Sequence, residues 1–210
     1  MKEKTVKQWT QELASKDGKY GGGSAASLIG AMATNLAQYV YELQQGKKEY
    51  AENEVEIEEA IQTSERLSEE LLDLAEEDAD AFEPILDLFK LPKDTEEEKA
   101  YRRKKLDQGF ADAANPPFEI MKKMNQVMDL FDHLISLEVR GSIVDDIAVG
   151  LIFTQATIES EKLNCDINIK YIKDEELKRE LAQETTEVYH TMMERNRQLK
   201  ETAMKIINNN

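Results

Sequence analysis

Apolar residues recur along this chain at intervals of three and four, the spacing that lines one face of a helix, and they do so through most of its length. Val6, Trp9 and Leu13 mark a short first helix over residues 3–14, which ends in a glycine-rich break. Leu28, Ile29, Met32, Leu36, Tyr39, Val40 and Leu43 predict the apolar side of a second helix, running from Ser24 to about Gln45 and closed by Gly46. Ala25, Ala26, Ala33 and Ala37 would let a neighbouring helix come close. From Lys47 to Phe89 the spacing continues through Ile57, Ile61, Ser64, Leu67, Leu71, Leu74, Asp78, Ala81, Ile85 and Leu88, with Pro84 expected to kink that helix near its end.

Thr95 and Glu98 form a capping-box signature for the next helix. Asn115-Pro116-Pro117 is expected to end it and to start another that reaches about Leu137. After a break at 138–142, the most apolar helix runs from Ser142 to about Leu163, and its load of Ile, Val, Leu and Phe predicts a central position. Residues 166–172 alternate as a strand does, but one strand has no partner, so they read as an extended connector. A last amphipathic helix spans roughly 174–207. The sum is an all-α fold: a single domain over residues 1–210, a bundle of six to seven helices around a central apolar helix at about 142–163, with no significant sheet.

Composition narrows the class. The formal charge of −16 repels phosphate backbones and argues against nucleic acid as a partner. No apolar run approaches the roughly 20 residues of a membrane span, and the N-terminus lacks the apolar core of a signal peptide. Cys165 is the one cysteine, so no internal disulfide forms and a cytoplasmic location is expected. His133 and His190 are far apart and no metal-ligand spacing occurs, so no metal is expected. No local motif announces Ser-His-Asp or Cys-His catalysis.

Four features could carry chemistry. Gly21-Gly22-Gly23-Ser24 precedes an apolar helix, where glycines let backbone approach a ligand and free N–H groups attract anions. A turn that merely permits tight packing is the alternative. Asp78 falls on the apolar stripe of its helix, about 200° around from Asp80. A carboxylate at such a position is a proton donor and acceptor of raised pKa, one half of a salt bridge to a neighbouring helix, or the edge of a stripe reaching water. Asp145 can cap the central helix with Ser142, whereas Asp146 has no capping role and could be a second site carboxylate. Lys47, Lys48, Lys93 and Arg102 lie beside breaks, where they could hold an anionic substrate or simply solubilise the surface.

The stretches GGGSAASLIGAMATNLAQYVYELQQGKKEY at 21–50, DADAFEPILDLFKLPKDTEEEKAYRRKKLDQG at 78–109, VDDIAVGLIF at 144–153 and LNCDINIKYIKDEE at 163–176 resemble, in order, segments of the formiminotetrahydrofolate cyclodeaminase family. That family includes stand-alone bacterial methenyltetrahydrofolate cyclohydrolases. The resemblance implies an all-helical homodimer that takes a tetrahydrofolate derivative as substrate, with no tightly bound cofactor. It implies one of two reactions at the bridging one-carbon unit: closure of a formimino group with loss of ammonia, or hydrolytic opening of a methenyl ring. It assigns acid/base work to Asp78 or Asp146. Substrate positioning would fall to Gly21, Gly22, Gly23, Ser24, Lys47, Lys48, Phe82, Lys93 and Arg102. The chain departs from the family pattern at Lys19-Tyr20, where proline is usual, at Val139-Arg140 and at Asp145. Those departures frame the alternative reading, a non-catalytic folate-binding or structural dimer that keeps the fold.

Overall fold

Each helix begins or ends where the chain's local chemistry changes. The computed structural model describes residues 3–209 and places seven α-helices along them. They are α1 (Val6–Leu13), α2 (Gly22–Gln44), α3 (Glu54–Asp80), α4 (Glu83–Leu88), α5 (Glu96–Ser136), α6 (Val144–Tyr171) and α7 (Glu175–Asn209), with a 3-10 turn at Lys48–Asn53 before α3. No strand occurs among the described residues. Thr95 accepts from the Glu98 N–H while the Glu98 carboxylate accepts from the Thr95 N–H, so the predicted capping box starts α5. None of the helices is long and apolar enough to cross a membrane.

The α2 helix packs antiparallel to α3 through small polar residues. Ser24 Oγ lies 2.8 Å from the Ala75 carbonyl and Ser27 Oγ lies 2.6 Å from that of Leu71. On its other side α2 meets α6, where Thr157 donates to the Ala26 carbonyl at 3.1 Å. Two helices can approach this closely because most of the buried positions of α2 are small, Ala26, Ala31, Ala33 and Ala37 among them. Of the larger residues of the predicted apolar side only Val40 is fully buried; Met32, Tyr39 and Leu43 are exposed, and Leu28, Ile29 and Leu36 half-buried. Tyr41, one position on, is fully buried and donates to the Leu130 carbonyl of α5 at 2.7 Å.

As predicted, α6 is central, packed against α2, α5 and α7. Gly150 lets α5 close onto it: a β-carbon there would stand 2.1 Å from Cζ of Phe131. Ile147, Leu151, Ile158, Cys165 and Ile169 are buried, but Val149 and Ile152, expected inside, stay substantially exposed. The capping box expected from Ser142 and Asp145 is not formed either. Ile143 is the N-cap and no side chain caps the helix.

Three further expectations are corrected. Residues 47–89 are not one helix: α3 stops at Asp80, and Pro84 sits in the first turn of α4, where its missing N–H costs nothing. Asn115-Pro116-Pro117 does not break the chain, because α5 runs on through both prolines. Proline in a helix interior strands a carbonyl one turn back. Here the Ala113 carbonyl, left without the Pro117 N–H, accepts from Asn168 Nδ2 at 3.1 Å, so the neighbouring helix supplies the lost bond. That bond requires helix at 166–171, so the supposed connector is the last two turns of α6. Cys165, Ile169 and Ile172 point inward at helical spacing while Ile167 and Tyr171 face out.

Removing the substitute bond should be costly. Asn168→Ala is expected to lower stability by about 1–3 kcal/mol, the penalty for an unpaired buried carbonyl, with helical circular dichroism retained. A denaturant midpoint equal to that of the parent would show that the prolines are accommodated otherwise.

Candidate active site

The start of α2, the end of α3 and the second half of α6 converge on one spot. The segment before α2 is fastened first. Trp9 of α1 packs on Tyr20 with ring centroids 5.3 Å apart, Tyr20 donates to Glu76 at 2.8 Å, and Lys19 pairs with Glu76 and Asp80 of α3. Gly22 and Gly23 then form the first turn of α2. Where a β-carbon of Gly23 would lie, the carboxyl oxygens of Asp78 stand only 2.4 and 2.5 Å away. Glycine at 23 is therefore the condition for Asp78 to reach the backbone at the head of α2.

Asp78 is held there by Ser24. The Ser24 backbone N–H and hydroxyl both face the carboxylate, with Oγ 3.1 Å from Oδ2. The same hydroxyl is 2.8 Å from the Ala75 carbonyl, so its one proton can serve either partner. Burial raises the proton affinity of Asp78 above the usual carboxylate range, and the two Ser24 bonds offset part of that rise. The bond expected between Ser24 and a bound anion is thus made to a carboxylate of the protein itself.

Behind Asp78 lies a residue the pattern reading passed over. Glu161 of α6 is wholly buried. Its Oε2 accepts from Asn164 Nδ2 at 3.3 Å, while Oε1 has no hydrogen-bond partner. Burial, first, and the Asp78 carboxylate, second, push Glu161 well above the ordinary glutamate range. Asn164 Oδ1 faces the same turn of α2, 3.8 Å from where a β-carbon of Gly22 would be. A signal existed: Ile158, Glu161, Cys165 and Ile169 form an apolar stripe with one acid in it, the same anomaly that singled out Asp78.

The remaining predicted residues divide between two ends of the bundle. Gly21, Gly22, Gly23, Ser24 and Asp78 form the centre just described. Phe82, four residues after Asp78, is exposed at the N-cap of α4. Arg102 donates to the Phe89 carbonyl at 3.3 Å, packing α5 against the end of α4, and Lys93 is exposed in the loop between these two helices. Lys47 and Lys48 are exposed beyond the far end of α2, about 34 Å along the helix axis from Gly22. Lys47 donates to Gln44 there. Asp146 lies in the first turn of α6, about 22 Å along that helix from Glu161, and burial and then Asp145 raise its proton affinity. Within one chain, Asp78 and Asp146 do not share a site. Among the described residues no group of three His, Cys, Asp or Glu side chains is placed to hold a metal ion.

Comparison with known proteins gives a consistent result. The family model described as formiminotransferase-cyclodeaminase matches residues 5–187. A methenyltetrahydrofolate cyclohydrolase of Methylorubrum extorquens is 31% identical over 170 residues, which cover 81% of this chain and 81% of that protein. The formimidoyltransferase-cyclodeaminase of Gallus gallus is 29% identical over 79% of this chain but only 30% of its own length, and this chain likewise spans about a third of the Sus scrofa counterpart, at 28% identity. The crystal structure of a formiminotetrahydrofolate cyclodeaminase from Thermotoga maritima superposes with a TM-score of 0.78 at 26% identity, covering 95% of this chain and 97% of that one.

Buried acids leave a thermodynamic trace. A carboxyl whose folded pKa is raised contributes stability that is fully present below its unfolded pKa, about 4.3 for glutamate, and is lost as pH rises through the folded value. Thermal melts from pH 4 upward should therefore fall more steeply for the parent than for Glu161→Gln, with the variant gaining about 2–4 °C for each kcal/mol relieved in a chain of this size. Parallel melting curves would mean that Glu161 ionises at its ordinary pH.

Proposed function

Since the chain belongs to the formiminotransferase-cyclodeaminase family, we propose that it acts on the bridging one-carbon unit of a tetrahydrofolate, as a methenyltetrahydrofolate cyclohydrolase or a formiminotetrahydrofolate cyclodeaminase, with Asp78 as the general acid/base. The observation that carries this is the Asp78 carboxylate: its proton affinity is raised by burial, and it is fixed against the head of α2 by Ser24 and by the lack of a side chain at Gly23.

Both reactions suit such a group. The methenyl bridge is an amidinium and the protonated formimino group another, so each substrate brings one delocalised positive charge to the reacting carbon, which a carboxylate attracts. In the hydrolysis Asp78 takes a proton from the attacking water, giving a tetrahedral carbon between the two folate nitrogens. It returns that proton to the nitrogen whose bond to carbon breaks, and as that bond breaks the hydroxyl on the same carbon loses its proton to solvent, leaving the formyl group on the other nitrogen. In the deamination the second folate nitrogen attacks, Asp78 accepts its proton, and the proton leaves with the departing ammonia. A base whose pKa lies closer to neutral pH than that of an ordinary carboxylate serves both directions of transfer. The scheme needs only proton transfers. The glycine turn, Phe82, Lys93 and Arg102 would flank the substrate on this side.

The homodimer implied by the resemblance belongs to the same proposal. Residues 21–41 and 147–158 carry no Asp, Glu, Lys or Arg in a chain that is one-third charged. On the adjacent helices α2 and α6 they expose Met32, Tyr39, Val149 and Ile152. A second copy of the chain is a partner with an equally uncharged face to offer. A twofold pairing that reverses the helix directions would carry the second copy's Lys47, Lys48 and Asp146 end toward this chain's Asp78.

Two experiments test the proposal. Methenyltetrahydrofolate should lose its absorbance in the presence of the protein, or formiminotetrahydrofolate should gain that of the methenyl product, and Asp78→Asn should cut the rate about 10²–10⁴-fold. No turnover of either compound, or an unimpaired Asp78→Asn, would defeat the assignment. In sedimentation the protein should run as a dimer and Ile152→Glu as a monomer, and a monomeric parent would remove the dimer.

A further inference from the structure

Glu161 is as enclosed as any side chain of the core, yet it is an acid and one of its oxygens is unpaired. Such a group is costly and calls for a reason. Its surroundings supply little to support a second charge. From α2 the facing groups are Ser24 and the backbone of the first turn, and from α3 the nearby acid is Asp78. On α6 itself lie Asn164, the buried Cys165, and Lys162, which is already paired with Asp166. α5 presents the Ala114 carbonyl to Cys165. In the segment before α2, Lys19 is engaged by Glu76 and Asp80. Among the described residues, none of these elements leaves a cation free to neutralise two carboxylates here.

We propose that Glu161 is a positioning residue for Asp78: a solvent-free second carboxyl that shares one negative charge with it. Glu161 retains a proton while Asp78, the member nearer to water, carries the charge. The pair then presents one negative charge to an amidinium bearing one positive charge. Ionising both members would set two carboxylates together in a dry seam, so the proton on Glu161 keeps Asp78 the sole base. Asn164 holds the Glu161 carboxyl in place through Oε2 and turns its own Oδ1 toward Gly22, the side from which a ligand would enter. This role rests on the proposed chemistry of Asp78, but the coupling between the two acids does not.

The test uses the intact protein with ¹³C-labelled carboxyls, titrated by NMR without any folate, and then the rate–pH profile with methenyltetrahydrofolate. In the parent, Asp78 should show two transitions, its own and a later one as Glu161 ionises. In Glu161→Gln the later transition should disappear from the Asp78 titration and, with it, the alkaline bend in the profile of kcat. In Asp78→Asn, which keeps the proposal testable should the first variant fold poorly, the Glu161 carboxyl should titrate at lower pH than in the parent. An Asp78 titration identical in parent and Glu161→Gln, or a Glu161 titration unmoved by Asp78→Asn, overturns the inference. Coupled titrations in a protein that turns over no folate would uphold the pair and defeat only the reaction assigned to it.

Discussion

The carboxyl of Asp78 lies against the backbone of Gly23 with no space for a β-carbon between them, and much of the architecture is arranged so that this contact can exist. The end of α3 must come within touching distance of the first turn of α2, so the two helices run close together along their length. Ser24, Ser27 and the alanines of α2 allow this, since short side chains either bond to the opposite backbone or leave room for it. Once the small residues occupy most of the inner face, the large apolar ones of α2 other than Val40 and Tyr41 have to face elsewhere. The exposed Met32, Tyr39 and Leu43 are in this sense a by-product of the close approach.

The contact is not free of cost. Two acids withdrawn from water oppose folding whenever they ionise, and the partial positive charge at the head of a helix offsets only part of that, typically about 0.3–1 kcal/mol. The fold carries the burden because its interior elsewhere is conventional. Ile147, Leu151 and Ile158 of α6 are enclosed together with Phe131, Met124 and Met128 of α5. The stranded carbonyl beneath Pro117 is served by Asn168, so the two prolines add no unpaired group to the core. Among the buried atoms left unpaired, Trp9 Nε1, Arg102 Nε and Asn196 Oδ1 with Glu161 Oε1, only the last belongs to an acid.

The helical class, the central place of α6 and the capping box at Thr95 could be read from spacing and side-chain chemistry, because each depends on residues a few positions apart. The continuity of α5 could not. Whether a Pro-Pro pair breaks a helix is decided by what the neighbouring helix offers, and Asn168 is some fifty positions away in the chain. The same holds for the strand-like alternation at 166–172, which packing turned into helix. Within the site, Asp78 was legible as an acid on an apolar stripe and the glycine turn as a place of close approach. Their contact was not, since it joins the start of one helix to the end of the next. Glu161 showed the same anomaly as Asp78, but it lay in a helix judged apolar as a whole.

The antiparallel neighbours α5, α6 and α7 form one run of consecutive hairpins, and α2 with α3 forms another. Ser24 and Asp78 come from the second run, Glu161 and Asn164 from the first. The site is therefore a seam between two stretches of chain that can each acquire helix structure locally, and it comes into being only when they dock. Anything that binds at the seam draws on the free energy of docking, so occupancy and the cohesion of the two halves are thermodynamically linked. Loosening the halves anywhere along α2 and α6, even far from either acid, would weaken binding at the seam to the extent that it populates the undocked state.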